Sequence, residues 1–156
     1  MNIRKALPSD LDSIMVYWRA MVEDHALIDP IYKLREGGEN DARVHFSNMM
    51  SDENRLLIVA EDSNTVAGYL AASTRMMPPV FEPQRIGLIS ELCVSPELRR
   101  QGIGRSLFEH AREWFLQNGV ERIEARTLIA NQQSNAFWKS VGFETYSAEY
   151  RLKSAT

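Results

Sequence analysis

Apolar positions along the chain follow two rhythms, one near 3.6 residues and one of two residues, and each stretch of rhythm marks an element. Asn2 to Ala6 reads as a short strand. Ser9-Asp10-Leu11-Asp12 then offers a capping-box-like helix start with Ser9 as N-cap, behind which Leu11, Ile14, Met15, Trp18 and Val22 recur at helical spacing. A second helix carries Ala42, Phe46, Met49 and Met50 on one face. Arg55 to Glu61 and Thr65 to Ala72 make a predicted hairpin that turns at Ser63-Asn64. Beyond a loop containing Pro78, Pro79 and Pro83, Ile86 to Val94 reads as a buried strand. Gly104 to Asn118 follows as a helix with Leu107, Phe108, Ala111 and Phe115 inward, and Gly119 fits its stop. Arg122 to Leu128 is a further strand, Ser134 to Val141 a short helix ending before Gly142, and Phe143 to Leu152 one or two closing strands.

This order predicts an α/β or α+β sheet of mixed direction, flanked by helices. No repeat or low-complexity run interrupts it, and the glycines and prolines are spread as punctuation. A chain of 156 residues with 44% hydrophobic content fills one sizeable core, so residues 1–156 are expected to form a single domain. Lys and Arg total 18 against 21 Asp and Glu, and the net charge of -3 gives no global basic footprint for nucleic acid. Cys93 is the one cysteine, which excludes an internal disulfide and a cysteine-based metal cluster and suits a reducing compartment. The start, Met1-Asn2-Ile3-Arg4-Lys5, reaches Asp10 and Asp12 before any long apolar run, and no stretch approaches the roughly 18 apolar residues of a membrane span. The expectation is a soluble, cytoplasmic protein with no membrane or nucleic-acid partner.

The stretch richest in chemistry is Val94-Ser95-Pro96-Glu97-Leu98-Arg99-Arg100-Gln101-Gly102-Ile103-Gly104-Arg105-Ser106-Leu107: a strand, a charged turn, two spaced glycines and an amphipathic helix. Unpaired amides at the helix start and the positive end of its dipole attract an anion, and the glycines let backbone approach it. Arg99, Arg100 and Arg105 add charge around the same turn. A dinucleotide-binding loop is the first competitor, with Glu121 and Glu124 near the distance of a ribose-binding acid. It fails because Leu107 stands at the third glycine position and Ser95 to Gln101 separate strand from first glycine. A Walker-type loop fails for want of Gly-Lys-Ser or Gly-Lys-Thr.

At these residues the sequence resembles the GNAT superfamily of N-acetyltransferases, whose central motif is Arg or Gln, two residues, Gly, one residue, then Gly or Ala. Here it stands as Arg99-Arg100-Gln101-Gly102-Ile103-Gly104. The likeness continues upstream in Glu91-Leu92-Cys93-Val94-Ser95-Pro96 and downstream in Asn131-Gln132-Gln133-Ser134-Asn135-Ala136-Phe137-Trp138-Lys139-Ser140-Val141-Gly142-Phe143. Strong matching covers residues 86 to 143; the N-terminal half agrees in element order. The resemblance implies a mostly antiparallel sheet splayed between its fourth and fifth strands, with acetyl-coenzyme A as acyl donor. Its pantetheine arm is expected in the gap, on backbone groups of Leu92, Cys93 and Val94. The pyrophosphate is expected on the turn through Arg99, Arg100, Gln101, Gly102, Ile103, Gly104 and Arg105, with Asn131 along the arm. Many members of the family are dimers, so the resemblance admits a homodimer.

Acyl transfer requires a neutral amine. At pH 7, deprotonating a lysine-like amine with pKa about 10.4 costs about 4.6 kcal/mol, against about 1 kcal/mol for an α-amine near 7.8. Glu91, a carboxylate within an otherwise apolar strand, is the leading base, because burial raises its pKa toward a useful value. Many members carry a proton-donating tyrosine where this chain has Trp138, whose indole cannot act as that acid. Trp138 is read instead as a wall of the coenzyme channel or as core. Tyr146 and Tyr150 are alternative donors, and a thiolate can take its proton from water. His25, His45 and His110 are too scattered for a metal site, and Cys93 reads as buried packing. Glu23 to Tyr32 and the loop from Arg75 to Pro83 are expected, by family analogy, to border the acceptor site, and the acidity of the former hints at a cationic acceptor. Acetylation of a small-molecule amine is the leading reading. A protein or peptide N-terminal acetyltransferase and a non-catalytic acyl-coenzyme A-binding module are the alternatives.

Overall fold

The computed structural model describes residues 1–82 and 84–152, so Pro83 of the predicted loop lies outside the described residues. The chain divides into two compact units, the first running from Met1 to Arg126 and the second beginning at Thr127.

The first unit holds β1 (Asn2–Lys5), α1 (Leu11–Ile28), α2 (Gly38–Met49), β2 (Arg55–Asp62), β3 (Thr65–Met76), β4 (Arg85–Val94), α3 (Ile103–Gln117) and β5 (Arg122–Ala125). The strands form one sheet in sequence order β1-β2-β3-β4-β5. All neighbours run antiparallel except β4 and β5, which are parallel because α3 carries the chain back across. The hairpin turns where the sequence predicts it. Ser63 and Asn64 both take left-handed backbone, at φ 49° and 62°, the twist that joins two strands tightly.

The helix entrance differs from expectation. Ser9 is exposed in a 3₁₀ turn (Pro8–Asp10), and the capping carboxylate belongs to Asp10, which accepts from the Leu7 N–H at 2.7 Å. Asp10 is buried, and its ion pair with Arg4 at 2.6 Å holds its pKa below the usual carboxylate range. The N-cap of α1 is therefore Asp10 and not Ser9, and its carboxylate makes no bond to the α1 amides, being taken by the Leu7 N–H and the Arg4 guanidinium.

A core packs on each sheet face. Ile14, Met15, Phe46 and Met49 cover Leu57, Val59, Tyr69, Ala71 and Cys93 on one side. On the other, Phe115 of α3 lies so close to β4 that a Cβ on Gly87 would come within 2.5 Å of its ring. Only glycine admits that packing.

The second unit contains α4 (Gln132–Ser140). The strand predicted through Leu128 ends at Ala125, where pairing with β4 also ends. The closing strands expected from Phe143 to Leu152 do not form. Every residue from Glu144 to Leu152 is exposed, Tyr150 at 96%, so the pattern there lacks the covered face that an alternating strand needs.

Candidate active site

The site grows from an irregularity in β4. Ala71 pairs with Glu91 but Ala72 pairs with Ile89, so Ser90 is an extra residue, a β-bulge, with its hydroxyl donating to the Ala71 carbonyl at 3.1 Å. The bulge reverses which face later side chains meet. Gly87 and Ile89 point toward α3, whereas Glu91 and Cys93 point toward α1 and α2 with Ala71 and Tyr69. The Cys93 thiol lies 3.7 Å from the Tyr17 carbonyl of α1, and burial pushes it up to about 11, which disfavours the thiolate at neutral pH.

Glu91 sits half-buried on that face. The hydroxyl of Tyr69, itself fully buried, donates to Glu91 Oε2 at 2.7 Å. Burial raises the carboxyl pKa and the Tyr69 hydrogen bond opposes part of the rise. Burial, and then the neighbouring carboxylate, lift the Tyr69 phenol well above its ordinary value, so it remains a donor. Sequence reasoning missed Tyr69. Its signal, a hydroxyl in the apolar run Val66 to Ala72, becomes meaningful only once the register places it opposite Cys93, one diagonal step from Glu91.

The same strand carries an open edge. Pairing between β4 and β5 covers Ile86 to Ile89 and then stops, leaving Glu91 to Val94 paired to β3 alone. Ser95 donates its N–H to Ala67 on β3 at 2.9 Å. Alternation then turns the peptide groups of Cys93 toward β3 and those of Leu92 and Val94 toward the open edge. The Arg99 guanidinium donates to the Val94 carbonyl at 3.1 Å, bracing the turn against the end of the strand. Beyond it Arg100 and Gly102 take left-handed backbone, at φ 60° and 85°, and nothing lies within 4 Å of a Cβ placed on Gly102. Ser106 is bonded back to the Gly102 carbonyl at 3.0 Å, while the amides of Ile103, Gly104 and Arg105 belong to the first turn, where no intrahelical acceptor exists. An open strand edge thus leads to the positive end of a helix, with no side chain over it at Gly102.

A sequence model of the Acetyltransferase (GNAT) family matches residues 18–143. The chain belongs to this family. An uncharacterized N-acetyltransferase of Archaeoglobus fulgidus is 30% identical over 140 residues, 90% of each chain. A crystallised mutant protein of Bacillus halodurans has a TM-score of 0.89 at 24% identity, over 97% of this chain and 98% of that one. An aminoglycoside N-acetyltransferase in complex with coenzyme A has a TM-score of 0.73 at 15% identity, over 99% of this chain and 95% of that one. The GNAT chain is therefore an N-acetyltransferase that uses acetyl-coenzyme A, and the resemblance carried by the turn from Arg99 to Gly104 holds for the whole fold. The donor fits the residues present: an extended arm suits the edge that β5 leaves open at Leu92 and the Val94 N–H, the Val94 carbonyl being taken by Arg99, and a pyrophosphate suits the α3 amides, over which Gly102 places no side chain.

Asn131 and Trp138 lie in the second unit. The Asn131 side-chain oxygen accepts from the Ser134 N–H at 3.0 Å, making it the N-cap of α4. Asn135, overlooked in the sequence, ties its amide to the carbonyls of Leu128 and Asn131 at 2.9 and 2.7 Å. Trp138 meets Phe137 and Phe143 edge-on with centroids 5.0 Å apart. Tyr146 is 60% exposed. The acidic stretch near the end of α1 is partly spoken for, since Glu23 pairs with Arg19 at 3.1 Å and Asp29 caps the following turn. His25 and His45 lie beside Tyr32 and Phe46, and His110 is exposed on α3. Among the described residues no cluster of His, Cys, Asp and Glu is placed to hold a metal ion, and no helix is long and apolar enough to cross a membrane.

Proposed function

We propose that this GNAT enzyme acetylates a small-molecule amine by direct attack within a ternary complex, with Glu91 as the general base. The observation that carries the reading is the placement of Glu91: a carboxylate of raised pKa, held by Tyr69, one residue past the bulge and beside the open edge of β4. The family match spans both compact units, which supports taking residues 1–156 as one acetyltransferase domain.

Bound acetyl-coenzyme A supplies a thioester whose carbonyl carbon is open to a neutral amine. The chain's work is to place and neutralise that amine. Leu92 offers its peptide groups and Val94 its N–H along the open edge to fix the arm, and an N–H there stabilises charge developing on the carbonyl oxygen. Arg100 and Arg105, with the amides of the α3 turn, hold the phosphates. Glu91 accepts the proton of the incoming ammonium, directly or through one water, and Tyr69 keeps the accepting oxygen in place. Trp138 donates no proton to the leaving sulfur; with a thiol pKa near 8.5, water suffices.

The test is amine-dependent release of coenzyme A from the purified chain across a broad amine panel, beside thermal shifts with acetyl-coenzyme A and with NADH. Acetyl-coenzyme A at about 100 times its Kd adds about 2.7 kcal/mol, a rise of roughly 5 to 10 °C. A shift with turnover on small amines supports the proposal. Binding without turnover on any amine refutes it in favour of a non-catalytic module, and turnover confined to peptide N-termini refutes the small-molecule acceptor.

A further inference from the structure

Beyond Ser90, on the side away from the α3 turn, a cleft of about 350 Å³ opens on the sheet face that carries Glu91. Ser73, two residues from the Ala71 that pairs with Glu91, lines it on that face. Its size sits at the small end of ligand sites, room for a few heavy atoms past a reacting amine.

The polar groups around it are balanced in charge. Asp52 brings a carboxylate, but one oxygen accepts from Arg55 Nε at 3.0 Å and the other from the Asn54 N–H at 2.9 Å. His45, exposed at another wall, is held toward its neutral form by partial loss of water and then by the Arg55 charge. What remains uncharged are the Ser73 hydroxyl and the Asn54 side-chain amide, each able to donate and to accept, and the Ser90 hydroxyl, which donates to the Ala71 carbonyl and can still accept. A second ammonium placed there finds Asp52, the one carboxylate among the described lining residues, engaged, and a ligand carboxylate must draw Arg55 away and then sit beside Asp52. Either charge loses water without a partner to replace it.

We infer that this cleft seats the non-reacting end of the acceptor and that this end is a compact, uncharged hydrogen-bonding group, a hydroxyl or an amide. The inference rests on the acetyltransferase reading above. It sets this chain apart from a polycation acetylator, although an aminoglycoside N-acetyltransferase shares its fold.

The experiment compares three straight-chain amines of equal length, ending in a hydroxyl, a second ammonium or a carboxylate, at saturating acetyl-coenzyme A. The hydroxyl-ended amine is expected to exceed both others in kcat/KM by about tenfold or more. Ser73→Leu, which fills the cleft, should abolish that preference while leaving the KM for acetyl-coenzyme A in place. Arg55→Gln, at a partly exposed position, frees Asp52 and should raise kcat/KM for the diamine by about tenfold. Equal rates, a diamine preference in the unaltered protein, or an Arg55→Gln ranking that does not move would overturn the inference while the transferase reading stands. Coenzyme binding with no turnover of any amine overturns both.

Discussion

The two halves of β4 are built from similar residues and do opposite things. From Ile86 to Ile89 the strand is clamped between β3 and β5, with Gly87 pressed against Phe115. From Ser90 to Val94 it keeps β3 and has no β5 partner, and one bulged residue has turned its side chains to the opposite face. The first half is paired along both edges, antiparallel to β3 and parallel to β5. The second leaves peptide groups at an edge and a carboxylate on a half-buried face, both costly unless a ligand uses them. The residues proposed for acetyl transfer gather where sheet construction is left unfinished.

The largest expected effect falls on the open half. Glu91→Gln should lower kcat/KM for a lysine-like amine by about 10² to 10⁴-fold, the usual contribution of a general base. Stability should move the other way. Because burial raises the folded pKa of Glu91 above its unfolded value, ionising it opposes folding as pH rises through that raised value. The neutral isostere removes the opposition, so the thermal midpoint at neutral pH should hold or rise. A variant that loses both activity and midpoint would mark Glu91 as structural.

The clamped half should show the reverse. Gly87→Val drives a side chain into the Phe115 ring, whose atoms lie 2.5 to 2.9 Å from the position of a Cβ. Denaturant unfolding should show a loss of about 1 to 3 kcal/mol, the range for overpacking, with kcat of the folded fraction little changed. A large kcat effect would mean that the two halves are not separable.

Gly102→Ala is expected to act more weakly, at the turn beyond the open half. At φ 85° an alanine is strained by about 1 kcal/mol, yet its methyl meets nothing within 4 Å in the protein. The KM for acetyl-coenzyme A should therefore rise more clearly than stability falls. An unchanged KM would detach the turn from the phosphates.

Much of this contrast can be read from the sequence, but not the device that creates it. The Ser63-Asn64 turn was legible because those residue types tolerate left-handed backbone, and α3 because Leu107, Phe108, Ala111 and Phe115 repeat at helical spacing. The turn from Arg99 to Gly104 was legible through its glycines. The bulge was not, since Ser90 in Ile86 to Val94 carries no mark that distinguishes an extra residue from a paired one. Without it, Glu91 would share the face of Ile89 and lie far from Tyr69. The closing segment failed for a related reason: alternating aromatics specify a strand only where something covers one face, and coverage is a tertiary property.

Tyr69→Phe gives the smallest and most diagnostic change. Phenylalanine keeps the buried ring and its edge contact with Phe46, so the core survives and only the 2.7 Å hydrogen bond to Glu91 is lost. That bond favours the ionised carboxylate, while burial favours the protonated one. Removing it leaves burial unopposed, and the pKa of Glu91 climbs. Since only ionised Glu91 accepts a proton, the acid limb of the kcat/KM profile should move to higher pH, with the rate on the plateau largely retained. Measured in the free enzyme, that limb reports the base itself. A structural role for Tyr69 would lower stability and leave the limb where it was. Movement of the limb in Tyr69→Phe, together with its disappearance in Glu91→Gln, would tie the titrating group to the bulged half of β4.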